Sequence, residues 1–173
     1  MARDPLADTG PLIRRVYAYV AYRVGDGPEA EDLTSETFER ALRYRGSYDP
    51  KRGEPVAWLI GIARRCIEGA RLSTVPLGEP GEAADPRDVE AETVQRLTLE
   101  QAVERLDVRD RELVALRYGS DLSARQIGDL LELRTNAVEV ALHRALARLR
   151  KLLEDEQDEE ETEAGLAGRP GTL

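Results

Sequence analysis

The sequence predicts an all-α protein made of two small helical domains joined by a flexible linker. In several segments apolar residues recur at three- and four-residue spacing, which is the period of an amphipathic helix. No run shows the strict alternation that is typical of a half-buried β-strand. Residues 73–95 are rich in Pro, Gly and Glu and cannot bury enough apolar surface to offset chain entropy. They are therefore predicted to be the linker.

The first predicted domain, residues 8–72, contains three helices. The first runs from about Leu12 to Val24 and ends at a Gly-Asp-Gly breaker. Pro28 suits the first turn of the second helix, because its missing N–H costs nothing there. The apolar face of this second helix is formed by Ala30, Leu33, Thr37, Ala41 and Tyr44. A third helix begins near Pro55 and is expected to bury Leu59, Ile62, Ala63, Cys66 and Ala70.

The second predicted domain, residues 96–153, contains a helix-turn-helix. Asp107 can cap a helix that stops at Gly119. Ser123, with Gln126 three residues later, is a capping box that opens a short helix. After a tight turn a longer helix begins near Thr135. A short capped helix that braces a longer one favours DNA binding, because the second helix can then enter the major groove.

The side chains that this interpretation places in the groove are Arg134, Thr135, Asn136, Glu139, Val140 and His143. Asn can make paired hydrogen bonds to adenine, and Arg can bind guanine or phosphate. Further along the helix, Arg144 and Arg148 can hold phosphates. The alternative interpretation of the same spacing is a plain helical hairpin with a solvated, charged face.

The net charge of −9 does not exclude DNA binding, because the acidity is concentrated outside the predicted helical domains. Residues 1–71 and 96–152 carry net charges of +1 and +2. Residues 72–95 and 153–173 carry −5 and −7. The second acidic stretch predicts a disordered tail over residues 154–173, which serves either as a solubilising appendage or as an electrostatic decoy that competes with DNA.

Composition also excludes several classes of site. With Cys66 as the single cysteine and His143 as the single histidine, neither an internal disulfide nor a Cys/His metal centre can form. No cluster of nucleophile, base and orienting group is evident, so neither an enzyme nor a cofactor is expected. We find no membrane span and no secretory signal, and we expect a cytoplasmic protein that does not bind membranes.

Five sequence blocks resemble the sigma-70 family of RNA polymerase sigma factors. In the second half, Leu106–Tyr118, Leu122–Gly128 and Leu142–Arg150 resemble region 4, which contains a helix-turn-helix. In the first half, Glu29–Ala41 resembles region 2.2, while the stretch Tyr48–Arg65 resembles regions 2.3 and 2.4. The resemblance covers residues 12–72 and 96–152. The missing domain between them is typical of the extracytoplasmic-function (ECF) group.

The resemblance implies a sigma factor that directs transcription initiation. Its partners would be RNA polymerase core (the clamp helices of the largest subunit and the flap), promoter DNA and, as a further candidate, an anti-sigma factor. The implied residues for binding core polymerase are Asp32, Glu36 and Arg40. Those implied for the minus-ten element are Tyr48, Lys51, Arg52, Trp58, Arg64, Arg65 and Arg71. Those implied for the minus-thirty-five element are Arg125, Arg134, Thr135, Asn136, Glu139, Val140, His143, Arg144 and Arg148.

Some positions depart from the family pattern. Arg134 stands where a serine cap is usual, and Glu139 and Val140 stand where Lys and a small polar residue are common. A carboxylate facing phosphates is repulsive, although Glu can accept a hydrogen bond from cytosine. These departures leave open a sigma-like regulator that binds polymerase or an anti-sigma factor without initiating. An ordinary helix-turn-helix repressor or activator is less favoured, because it leaves the first-half blocks unexplained.

Overall fold

The computed structural model describes residues 4–73 and 99–167, and all regular structure in these ranges is helical. The N-terminal unit, residues 4–73, consists of α1 (Thr9–Val24), α2 (Pro28–Arg43) and α3 (Pro55–Ser73). A single 3-10 turn, Arg45–Ser47, follows α2. Apart from residue 73, the predicted linker lies outside the described residues.

The C-terminal unit, residues 99–167, begins within a helix, α4, whose described part is residues 99–105. Then follow α5 (Val108–Val114) with a π-helical turn (Ala115–Gly119), α6 (Ala124–Leu131) and α7 (Thr135–Ala167). The prediction of an all-α fold is confirmed. In the described ranges no helix combines the length and apolar character that crossing a bilayer requires.

The predicted buried face of α2 is correct except at its end. Pro28 is the first residue of α2. The side chains of Ala30, Leu33 and Ala41 are buried in the hydrophobic core. The prediction for Tyr44 is wrong, because its side chain is 55% exposed. The helix ends at Arg43, so Tyr44 is the C-cap and no longer follows the helical period.

The helix-turn-helix has the capping geometry that the sequence predicts. The Ser123 hydroxyl accepts a hydrogen bond from the Gln126 N–H at 3.2 Å, and the Gln126 side chain accepts one from the Ser123 N–H at 2.9 Å. After α6, Glu132 takes a left-handed conformation, with φ of 58°. The turn is so tight that a Cβ on Gly128 would lie 2.6 Å from the Leu133 carbonyl oxygen. Because glycine has no Cβ, the backbone of α6 at this position can lie this close to the turn that leads into α7.

Removing the cap should have a modest, measurable effect. We expect Ser123→Ala to lower the free energy of unfolding by about 1 kcal/mol, because an amide N–H at the start of α6 loses its acceptor. For a chain of this size that corresponds to a fall in Tm of roughly 2–4 °C in a thermal melt. Ser35→Ala, an exposed change within α2, is the control and should not lower Tm. Equal melting of both variants would contradict a stabilising role for the cap.

The hydrophobic core is continuous across the two units. Tyr19, Leu59 and Ile60 of the N-terminal unit belong to the same buried cluster as Leu116 and Ile127 of the C-terminal unit. A second, smaller cluster lies within the C-terminal unit, where α4 and α5 pack against α7. The two helical units that the sequence predicts are both present, and in this structure they are closed on each other.

The backbones of the two units pack closely at Gly119. A Cβ on Gly119 would lie 2.9 Å from the Tyr19 nitrogen and 3.0 Å from the Tyr19 Cα. The π-helical turn that ends at Gly119 therefore lies directly against α1. Beside it, the Arg15 guanidinium donates to the carbonyl oxygens of Ser120 at 2.7 Å and Asp121 at 3.0 Å.

The C-terminal helix is longer than predicted. In the structure α7 continues without a break to Ala167, past residue 154, where the disordered tail was predicted to begin. Glu has high helix propensity, and extending an existing helix avoids the cost of nucleation. With 33 residues, α7 is about 50 Å long. The remaining predicted tail, residues 168–173, lies outside the described residues.

Candidate functional site

The first half of α7 has one buried face and one exposed face. Val138, Leu142 and Ala145 are buried against the rest of the C-terminal unit. The predicted groove-facing residues all lie on the exposed side, namely Arg134, Thr135, Asn136, Glu139, Val140, His143 and Arg144. Val140, which is 51% exposed, is an apolar side chain in the middle of this surface. The surface is open to a ligand, and its composition combines Arg and Asn with one carboxylate.

Two further predicted residues of the C-terminal unit lie beside this surface. Arg125 is exposed on α6. Arg148 is exposed on α7, and its guanidinium forms an ion pair with the buried carboxylate of Asp110. Hydrogen bonding to Asp110 raises the pKa of Arg148. Arg148 therefore holds α5 against α7 in this structure, as well as being a candidate phosphate ligand.

Four of the predicted minus-ten residues line one cleft of about 450 Å³. Tyr48, Arg52, Trp58 and Arg65 form its wall on the N-terminal unit. The Tyr48 and Trp58 rings are 5.5 Å apart between centroids and tilted by 57°. The Tyr48 hydroxyl donates to the Gly53 carbonyl oxygen at 2.9 Å, which fixes the loop before α3. Aromatic rings beside guanidinium groups can stack bases and bind the backbone of a single strand.

Trp58 contacts both the hydrophobic core and the cleft. It is partly buried and packs against the hydrophobic core, and it also lines the cleft. The other predicted residues of this group lie elsewhere. Lys51 is exposed in the loop after Tyr48, and Arg71 is exposed in the last turn of α3.

The opposite wall of the cleft belongs to the helix-turn-helix. Gln126, Asp129 and Leu130 of α6 line it. The Gln126 side-chain amide donates to the Glu54 carboxylate at 3.2 Å across the opening. A cleft with strand-binding chemistry on one side is therefore closed by α6 on the other.

Arg64, the next predicted DNA ligand, points into the interface between the units. Its Nε donates to Glu112 Oε1 at 2.7 Å. The same oxygen accepts from Arg23 Nη1 at 2.9 Å and from the Tyr19 hydroxyl at 3.3 Å. Burial by itself lowers the pKa of Arg64, but the neighbouring Glu112 outweighs this, so the pKa of Arg64 is raised. Burial also raises the pKa of Tyr19, which keeps its phenol neutral and able to donate.

Sequence reasoning missed Glu112 and its partner Arg23. The side chains of Arg23 and Glu112 are only 6% and 17% exposed. One signal was available, because Arg23 follows Val16, Tyr19 and Val20 on the apolar face of α1. An Arg on a buried face implies a buried acceptor. Nothing in the sequence indicated which carboxylate would fill that role.

The residues predicted to bind core polymerase lie on the outer face of α2. Asp32 is exposed, while Glu36 and Arg40 form an ion pair with each other across one helical turn. Leu42 and Tyr44 are large, exposed apolar side chains at the end of the same helix. The described part of α2 thus exposes carboxylates that can attract a basic protein surface, and large apolar side chains are exposed near its C-terminal end.

Metal binding finds no support in the described ranges, where no group of three or more His, Cys, Asp or Glu side chains is placed to hold an ion. Cys66 is buried in α3, and burial raises the pKa of its thiol while a hydrogen bond with Thr37 lowers it. His143 is exposed on α7.

Two family models match the chain. Sigma-70 region 2 matches residues 11–70, and Sigma-70, region 4, matches residues 96–149. These ranges contain the cleft residues of the N-terminal unit and the helix-turn-helix, respectively.

Similar curated proteins span the same two regions. BldN of Streptomyces coelicolor, an ECF RNA polymerase sigma factor, is 35% identical over 150 residues, covering 82% of this chain. The match spans only 57% of BldN itself. The RNA polymerase sigma factor CarQ of Myxococcus xanthus is 31% identical, with 80% of this chain and 83% of CarQ covered. SigW of Bacillus subtilis, also an ECF sigma factor, is 26% identical, with 88% and 91% covered.

Solved structures support the fold. The sigma factor RpoE from Bartonella quintana, in complex with the anti-sigma factor NepR, aligns with a TM-score of 0.67 at 19% identity, covering 83% of this chain and 92% of RpoE. CnrH, in complex with the cytosolic domain of CnrY, aligns with a TM-score of 0.61 at 22% identity, covering 87% and 85%. With both regions matched in order, the chain belongs to the sigma-70 family of RNA polymerase sigma factors, in its extracytoplasmic-function group.

Proposed function

We propose that the chain binds RNA polymerase core in the cytoplasm and directs it to promoters, as a binding protein and not as an enzyme. The observation that carries the proposal is the presence of regions 2 and 4 in one chain, each with an exposed or cleft-lining set of the predicted ligands. The named relatives are sigma factors, which supports the same activity here.

We propose a separate binding role for each of three surfaces, on α2, in the cleft and on α7. The carboxylates of α2 are suited to the basic clamp helices of core polymerase, and the flap is the proposed contact of the C-terminal unit. The cleft at Tyr48 and Trp58 is suited to the separated strand of the minus-ten element, where stacking and charge supply the binding. The exposed face of α7 is suited to the major groove of the minus-thirty-five element.

An anti-sigma factor is the further partner that we propose. The two solved structures named above are complexes, RpoE with the anti-sigma factor NepR and CnrH with the cytosolic domain of CnrY. A partner of this class would restrict the factor until a signal releases it.

The proposal is tested by mapping transcription starts. Purified protein is mixed with sigma-free core polymerase and fragmented genomic DNA from the source organism. Discrete starts that share an upstream sequence are the expected result. Co-elution with core but no new starts would contradict the proposal and favour a sigma-like regulator. The carboxylate of Glu139 on the exposed face of α7 fits that alternative, because it would repel DNA phosphates.

Charge reversal on α2 should remove core binding. We expect Asp32→Lys with Glu36→Lys to weaken the affinity for core polymerase at least about tenfold, because two attractive charges become repulsive. Binding is measured by fluorescence anisotropy of the labelled chain. Asp8→Lys with Glu68→Lys makes the same charge change at exposed positions outside α2 and should bind like the wild type. If the two double variants bind equally well, the α2 surface is not the docking site.

A further inference from the structure

A second cavity lies between α1 and α4, away from the cleft at Tyr48 and Trp58. Its volume is about 350 Å³, and none of the residues that line it also lines the cleft. This volume is at the lower end of the range of pockets that bind small molecules. The cavity is therefore a separate candidate site, with room for one small ligand.

The sequence of α1 explains why a space exists here. Ala18, Ala21 and Gly25 follow one another at three- and four-residue spacing, and all three line the cavity. Side chains this small cannot fill the distance to α4, so the two helices leave a gap. Leu99 and Val103 of α4 supply apolar surface on the opposite side. The cavity thus has apolar walls on both helices.

Two tyrosines of α1, Tyr17 and Tyr22, also line the cavity. The Tyr17 hydroxyl donates a hydrogen bond to the Asp26 carboxylate, which raises the pKa of Tyr17. Burial, together with the negative charge of Glu100, raises the pKa of Tyr22. Both phenols are therefore neutral at physiological pH. A cation placed over the face of a tyrosine ring is attracted to it, and the attraction grows where water is excluded.

The charged residues of the cavity are all acidic. Asp26, Glu100 and Glu104 line it, and among the described residues that do so none is basic. Glu104 Oε1 would lie 3.6 Å from a Cβ on Gly25, which places this carboxylate beside the end of α1. Arg111 partly offsets the charge, since its guanidinium donates to the Glu104 carbonyl oxygen. The cavity is still net negative, so it attracts a cation and repels nucleic acid.

These properties together select the chemical class of the ligand. A metal ion is disfavoured, because the described ranges hold no group of three or more His, Cys, Asp or Glu side chains placed to bind one. A protein partner needs a broad contact surface, whereas this space accepts only a small body. An ammonium group on a compact apolar skeleton matches both the carboxylates and the apolar walls.

We propose that the cavity between α1 and α4 binds a small organic cation, with its ammonium group among the carboxylates and its apolar body against the alanines of α1. The inference rests on the shape and charge of the cavity, not on promoter binding, and goes beyond the proposed function. Ligand binding would be a property of the free chain, before polymerase or DNA is present.

A matched pair of probes tests the proposal on the full chain. Phenethylammonium and phenethyl alcohol share a ring and a chain length, but only the first is charged at neutral pH. Each is titrated into the isotope-labelled protein, and the backbone amide shifts are followed by NMR. We expect the ammonium to bind with a Kd below about 1 mM, at least about tenfold tighter than the alcohol. The shifts should centre on Gly25 and spare Gly53 and Gly61, which line the cleft.

Two variants separate the contribution of charge from that of shape. We expect Glu100→Gln with Glu104→Gln to weaken phenethylammonium binding at least about tenfold and to leave binding of the alcohol unchanged. Glu39→Gln with Glu132→Gln removes two exposed carboxylates outside the cavity and should bind both probes like the wild type. Ala21→Leu fills the space and should abolish binding of both probes. Circular dichroism verifies that each variant is folded.

Several results would overturn the proposal. They are the absence of saturable phenethylammonium binding, equal affinity for the two probes, or unchanged affinity after the Glu100 and Glu104 substitutions. Shifts centred on Gly53 and Gly61 would place the probe in the cleft and count equally against it. Tighter binding of N-acetylarginine amide would assign the cavity to a basic side chain of a protein partner instead. None of these measurements uses polymerase or promoter DNA, so a failure of the proposed function would leave them unaffected.

Discussion

Glu112→Ala is expected to destabilise the closed protein by about 3–5 kcal/mol, the cost of removing one partner from a buried ion pair. One Glu112 oxygen accepts from Arg23 and Arg64, and the Arg23 side chain is almost fully buried. With the carboxylate gone, the Arg23 charge keeps only the Tyr19 hydroxyl at 3.0 Å within the interface. The change is measured by urea unfolding, followed by far-UV circular dichroism and by the fluorescence of Trp58, the only tryptophan.

The matched control is Glu36→Ala, which breaks an ion pair on the surface. Glu36 and Arg40 are each 41% exposed, so water replaces the lost partner and the expected cost is below about 1 kcal/mol. Similar costs for the two substitutions would show that Glu112 is not the centre of the interface.

Gly119→Ala is expected to cost about 1–3 kcal/mol, because an added Cβ overlaps backbone that cannot move aside easily. The new atom would lie 2.9–3.0 Å from the Tyr19 backbone. Since the Tyr19 hydroxyl also contacts Glu112, the substitution should separate the units and increase the radius of gyration measured by small-angle X-ray scattering.

Gly69→Ala provides a control of opposite sign. Gly69 lies inside α3, and a Cβ there would meet nothing within 4 Å. Alanine in a helix interior is favoured over glycine by roughly 0.5–1 kcal/mol, so this variant should be more stable than wild type. If Gly119→Ala also stabilises the chain without changing its radius, the close packing of the π-helical turn on α1 is not present in solution.

Features that depend on local chemistry were predictable from the sequence. Pro28 at the first turn of α2, and Ser123 with Gln126 at the start of α6, specify helix starts within a few residues of chain. The exposed face of α7 followed from helical period alone, because Val138, Leu142 and Ala145 had to be buried on the other side. The assignment of individual side chains on that face to promoter positions stays a prediction.

Features that depend on distant pairing were not predictable. Arg64 and Glu112 are 48 positions apart, and Tyr19 and Glu112 are 93 apart. Helical period places Arg23 on a buried face, but it cannot select one carboxylate among 34 acidic residues. Gly119 could be identified only as a helix end, because its packing against Tyr19 depends on how the two units meet.

The unbroken length of α7 sets the distance between the start of the acidic run and the exposed, predicted groove-facing side of the same helix. Each helical residue adds about 1.5 Å, so Glu154 lies about 15 Å along the axis from Arg144. Charges that far apart on a surface are largely screened at physiological salt, where the Debye length is about 8 Å. The carboxylate of Glu154 therefore acts only weakly on Arg144, because a continuous helix holds the two residues at that separation.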